Sequence, residues 1–197
     1  REHLEHAQII GVELVETELR DHDNADNAYT ELQGDGEQRL LDLRCSGDLL
    51  AQRVVSCVVH EKGLVDRTEQ VRTVVSPTKP NPEVMALNPL NKLPTLIRDD
   101  GAPLYDSRVI CEYLDGVGAG AKLFPVDGAA RIEALRLQAL GDGILDFLLM
   151  GLSERARPEA QQSPELKAAL ALKFQTAFDA LEREAGKLAG PLTIGHI

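Results

Sequence analysis

Residues 88–96 read Asn88-Pro89-Leu90-Asn91-Lys92-Leu93-Pro94-Thr95-Leu96, and residues 99–107 read Asp99-Asp100-Gly101-Ala102-Pro103-Leu104-Tyr105-Asp106-Ser107. The first run predicts a strand over 94–98. Asp99-Asp100-Gly101 is a hairpin turn, because aspartate tolerates tight turns and glycine supplies a positive φ at no steric cost. Residues 102–105 are its return strand. Ser107 then caps a helix that carries Val109, Ile110, Tyr113 and Leu114 on one face. A β-hairpin running straight into a capped helix is the anchor for the rest of the chain.

Upstream, residues 39–44 (RLLDLR) read as a short strand, and Ser46-Gly47-Asp48 as a turn or helix start. Residues 49–61 carry Leu50, Val54, Val55, Val58 and Val59 at helical spacing, with Gly63 placed as a helix C-cap. Residues 67–75 are a second strand, and 80–87 a short helix or turn. The order is strand, helix, strand, helix, strand, strand, helix, which is a thioredoxin-like layout. Downstream, the glycine-rich stretch around 117–128 reads as a linker. Residues 131–152 and 165–188 are two amphipathic helices, broken by Pro158 and Pro164. The predicted fold is therefore an α/β thioredoxin-like domain over 39–116 and an all-α domain over 129–197. The latter stops at Ile197, just as Thr193 begins something new, and reads as incomplete at its C-terminus.

The chain holds 32 acidic and 21 basic residues in 197, a net charge of −11. Eleven of those acids and two of the bases fall in residues 1–38, which form an acidic N-terminal extension to a nearly neutral body. Such a surface repels phosphate backbones, so nucleic acid is not an expected partner. The extension suits either a basic protein surface or plain solvation. Its His3 and His6 suit either a metal or solvent, and no metal site is expected. No run reaches the ~18 apolar residues of a membrane span. The first residue is Arg1 rather than Met, which points to processing or trimming. Cys45, Cys57 and Cys111 form no CxxC pair and no disulfide framework. A reducing compartment follows, the cytoplasm or alternatively the mitochondrial matrix. Burial is the expected fate of Cys57 and Cys111.

The run from Asn88 to Leu96, with Asp99-Asp100-Gly101 and Leu104 to Asp115, resembles the N-terminal domain of the glutathione S-transferase family. His60-Glu61-Lys62-Gly63-Leu64 matches the end of that family's first helix. Asp142-Gly143-Ile144-Leu145-Asp146 and residues 156–163 resemble the helical domain of bacterial members. The resemblance covers residues 39–197 and implies glutathione as the bound thiol. It implies a cis peptide bond before Pro94, with the N–H and C=O of Leu93 pairing with the extended tripeptide as an added strand would. It also implies that the Asp106 carboxylate takes the ligand's α-amino group. The Ser107 hydroxyl and the helix N-terminus would then take its α-carboxylate. Capping of the helix is the plainer role for Asp106 and Ser107.

One position departs from the family. Members activate the thiol with a Tyr, Ser or Cys at the start of the first helix. Counting back from His60 without gaps puts that position at Leu49, which donates nothing. The missing charge-assisted hydrogen bond is worth ~1.5–3 kcal/mol. A shifted loop would bring Ser46 to the sulfur as the surviving donor, or Cys45 as a nucleophile. In their plain structural roles Ser46 is an N-cap and Cys45 a buried strand end. His60, at the end of the helix, is expected to be solvated. Asp142 and Asp146 either line the interdomain cleft or face solvent. Two functions remain open: a glutathione-binding transferase acting on a small electrophile, or a catalytically degenerate subunit of a larger complex. A homodimer is compatible with either.

Overall fold

The structure is a computed structural model and describes residues 7–11, 48–76 and 78–197. Four strands form one mixed sheet in the order β2-β1-β3-β4. Strand β1 (Ala7–Gly11) runs parallel to β2 (Thr68–Arg72), with Ala7 opposite Thr68 and Gly11 opposite Arg72. It runs antiparallel to β3 (Thr95–Ile97), with Ile9 opposite Leu96. β4 (Pro103–Leu104) closes the hairpin, with Leu96 opposite Leu104.

The position of β1 corrects the charge-based division of the chain. Residues 7–11 sit inside the stretch assigned to an acidic extension, yet they are an inner strand of the sheet. Ala7-Gln8-Ile9-Ile10-Gly11 carries no charge, and Ile9 is 1% exposed. A charge averaged over 1–38 hides so short a run. The strand expected at 39–44 lies outside the described residues, as do His3, His6, Cys45 and Ser46.

Helix α1 (Asp48–Glu61) follows the predicted periodicity, with Val55, Val58 and Val59 buried. It ends at Gly63, whose φ of 61° is the left-handed value a C-cap glycine supplies. β2 is shorter than the strand expected over 67–75: residues 65–67 form a 3₁₀ turn, and the strand ends at Arg72. Helix α2 (Pro82–Leu87) is capped by Asn81, whose side chain accepts from the N–H groups of Glu83 and Val84. Helix α3 (Ser107–Val117) buries Ile110, Cys111 and Leu114. Its inner face is thus rotated from the expected one, and Val109 is 48% exposed.

Helices α4 (Gly128–Arg155) and α5 (Pro164–Glu184) make the all-α part. Their Phe147 and Phe174 rings meet edge to face at 6.2 Å. Buried Glu154 joins their ends, accepting from the Ser163 N–H and from Arg157. A thioredoxin-like sheet with helices, followed by an all-α unit, is the fold the sequence predicts.

The segment between α3 and α4 was expected to be a linker, and it is firmly packed. Leu123 and Phe124 are buried in the same apolar cluster as Ile9, Val55, Leu96 and Ile110. An ion pair organises it. Lys62 Nζ lies 3.0 Å from Asp115 Oδ1 and donates to the Ala121 carbonyl at 2.8 Å. Asp115 also accepts from the Leu123 and Phe124 N–H groups at 2.9 and 3.2 Å. Burial alone would raise the Asp115 carboxyl. The Leu123, Lys62 and Phe124 hydrogen bonds and the Lys62 charge outweigh it and hold the group below the usual carboxylate range. Gly118 passes so close that a Cβ there would meet the Lys62 Cβ at 2.5 Å. Beyond α5, the turn Ile194–His196 returns to the core, with the Ile194 N–H donating to the Leu123 carbonyl at 2.9 Å.

Candidate functional site

The loop from α2 to β3 sets the first half of the site. Leu93 is 4% exposed and packs with Val75 and Val84. The Leu93–Pro94 peptide bond is cis, as the resemblance implies. Among the described residues, neither the N–H nor the C=O of Leu93 has a hydrogen-bond partner. The turn before it is held from inside by Asn88, which is 1% exposed, and by Thr95, which is fully buried. Asn91 adopts a φ of 52°, and its side chain accepts from the Asn81 N–H at 2.9 Å.

The second half comes from the β4–α3 junction. Asp106, not Ser107, is the N-cap: its Oδ1 accepts from the Arg108 N–H at 3.2 Å, and its carbonyl from the Ile110 N–H at 3.0 Å. Aspartate is as good a cap as serine, and residue types alone do not separate the two positions. Ser107 is the first helical residue and half-buried, and its hydroxyl makes no hydrogen bond among the described residues. The Tyr105–Asp106 bond is also cis, which nothing in the sequence signals. The β3–β4 ladder ends at Leu96 opposite Leu104, and Leu93-Pro94 and Asp106-Ser107 follow just beyond that last pair, one on each strand. The four predicted binding residues therefore gather at one end of the hairpin.

Two charged residues that the sequence does not join meet beside them. Arg108 Nε donates to Asp142 Oδ2 at 2.7 Å, tying the first turn of α3 to α4. The Asp142 hydrogen bond raises the Arg108 guanidinium further, against the opposing effect of burial, with the charges of Asp142, Asp106 and Asp146 adding to it. Asp142 is thus an interdomain ion-pair partner rather than a solvated carboxylate, and Asp146 is exposed. Cys111 is fully buried, and burial, with the charges of Asp142, Asp106 and Cys57, pushes its thiol up to about 12. It stays protonated near neutral pH and is no nucleophile. Cys57, expected to be buried, is exposed on the outer face of α1. His60, at the end of that helix, is exposed. The described residues hold no cluster of His, Cys, Asp and Glu that suits a metal ion. No described helix is long and apolar enough to cross a membrane. Leu49, on the counted activating position, lies in the first turn of α1.

Several known proteins are similar to this chain. The family model described as glutathione S-transferase, N-terminal domain, matches residues 51–117. A glutathione transferase family member from Pseudomonas fluorescens Pf-5, solved with bound glutathione, is 35% identical. The match covers 77% of this chain and 75% of that one, with a TM-score of 0.72. A glutathione S-transferase from Methylobacillus flagellatus KT, also solved with glutathione, is 32% identical over 76% of this chain and 74% of that one, at a TM-score of 0.65. The uncharacterised GST-like protein YibF of Escherichia coli K12 is 34% identical over 99 residues, 50% of this chain and 49% of that protein. A stringent starvation protein A homologue from Pasteurella multocida Pm70 is 39% identical over 88 residues, 43% of this chain and 39% of that protein. The chain thus spans half or less of the length of these two curated relatives. On fold and likeness together, it belongs to the glutathione S-transferase family.

Proposed function

We propose that this protein binds glutathione at the end of the β3–β4 hairpin and conjugates its thiol to a small electrophile. The Leu93 N–H and C=O pair with the tripeptide backbone, Asp106 takes the γ-glutamyl ammonium, and Ser107 with the α3 N-terminus takes the adjoining carboxylate. The observation that carries this reading is a Leu93 backbone with no hydrogen-bond partner among the described residues, at the same end of the β3–β4 hairpin as the Asp106–Ser107 cap. The glutathione bound in two relatives more than 30% identical supports it.

In the transfer step the thiol loses its proton to solvent and the sulfur forms a bond to the electrophilic carbon. The leaving group departs with the electron pair of the bond that breaks. Ser46 is our candidate to stabilise the thiolate by donating a hydrogen bond. Leu49 favours a second reading, a binding subunit that has lost catalysis, because a leucine on the counted position offers no donor.

Calorimetric titration with reduced glutathione tests the site. Asp106→Asn keeps the cap acceptor but removes the charge. It should weaken binding by about tenfold or more, the worth of a charge-assisted hydrogen bond, while melting like wild type. No binding to wild type at millimolar ligand would sink the reading. Leu49→Ser should raise conjugation of a generic electrophile if the donor is missing. Wild-type turnover equal to that of ordinary transferases would remove the degenerate alternative.

We further assign a boundary near 117–128 between the binding and helical domains, and a reducing compartment, cytoplasmic or mitochondrial. Self-association or membership of a larger complex is supported by exposed Ile132, Leu172 and Phe178 on the helical part.

A further inference from the structure

We propose that Asn88 and Thr95 are positioning residues that aim the Leu93 N–H at the ligand, an inference that rests on the glutathione-binding reading above. The carbonyl of Lys92 belongs to the same peptide unit as the N–H of Leu93. That unit is planar and trans, so whatever fixes the oxygen fixes the opposite direction of the N–H.

Two buried donors fix it. Asn88 Nδ2 donates to the Lys92 carbonyl at 3.0 Å, and Thr95 Oγ1 donates to the same oxygen at 3.1 Å. The two donors are tied to each other, since Asn88 Nδ2 also donates to Thr95 Oγ1 at 3.1 Å. The third contact of the amide holds the turn itself: Asn88 Oδ1 accepts from the Leu90 N–H at 3.0 Å. Asn88 is in turn anchored to the end of α2, its N–H donating to the Val84 carbonyl at 2.7 Å. The network is satisfied and shielded from water, so it is stiff. A Leu93 N–H held in this way is aimed before the ligand arrives, and binding then loses less freedom.

Asn88→Asp would set a carboxylate against the Lys92 carbonyl and risks unfolding the chain, so the test turns on Thr95. Thr95→Val keeps the shape and deletes one donor; Thr95→Ser restores the hydroxyl. Leu170→Ala, in buried α5 packing far along the chain from the loop, supplies a destabilised control. Affinity for reduced glutathione is measured by calorimetry well below each variant's melting point. Thr95→Val should bind about tenfold more weakly, and Thr95→Ser and Leu170→Ala within about twofold of wild type. In turnover, KM for glutathione should rise with KM for the electrophile unchanged. A folded Thr95→Val with wild-type affinity overturns the positioning role while leaving the binding reading intact. A wild type that binds no glutathione overturns both.

Discussion

At the scale of single residues, the most consequential pair outside the site is Lys62 and Asp115. Both side chains are almost wholly buried, and each leaves the other an uncompensated charge if removed. Asp115→Asn should therefore cost about 3–5 kcal/mol in urea denaturation. The double variant Lys62→Met/Asp115→Asn should regain part of that, because no unpaired ammonium remains. The same carboxylate gives a pH signature. Its pKa is lower in the folded chain than in the unfolded one, so its contribution is complete above the ordinary carboxylate range, near pH ~4. It is lost as pH falls through the folded value. The urea midpoint should drop on acidification, and more steeply in wild type than in the Asn variant; equal slopes would contradict this assignment. Little of this was legible beforehand. Lys62 and Asp115 each read only as part of a separate family-like motif, because pairing across 53 positions needs the fold. Leu93, Pro94, Asp106 and Ser107 were legible because one continuous hairpin carries them all.

At the scale of elements, the helices and the hairpin could be read from the chain because caps, turns and period are local. α1, α3, α4 and α5 lie within a few residues of their predicted spans. What periodicity did not give was rotation: α3 turns Cys111 inward and Val109 outward, a choice made by what packs against it. β1 is undecided in the sequence for a related reason, since Ile9, Ile10 and Val12 suit a short helix or a strand equally. Its five residues carry no turn signal on either side, and partners contributed by residues 68–72 and 95–97 define it. The α3–α4 contact through Arg108 and Asp142 is likewise long-range. Arg108 is more than half exposed, so the pair should add less than about 1 kcal/mol to stability. Asp142→Asn should leave the melting temperature nearly unchanged. A loss of several degrees would mean that α4 depends on this contact far more than its exposure allows. Gly118→Ala, by contrast, should be strongly destabilising in the same assay, since backbone and the Lys62 stem both crowd the new methyl.

At the scale of the whole molecule, the two parts differ in how they are finished. The sheet and its helices close on a dense core. The helical part leaves Ile132, Leu172 and Phe178 open to water. Light scattering of the purified chain should report a species heavier than 21.5 kDa, and a strictly monomeric result at tens of micromolar would remove the self-association proposal. The two parts nonetheless share one apolar interior. Ile9 and Leu96 from the sheet, Leu123 and Phe124 from the connecting segment, and Ala134 and Ile194 from the far part all belong to it. Neither part can melt without opening the other's seam. Scanning calorimetry should accordingly record one endotherm whose van't Hoff and calorimetric enthalpies agree, and not the pair of peaks that two independently folding halves would give.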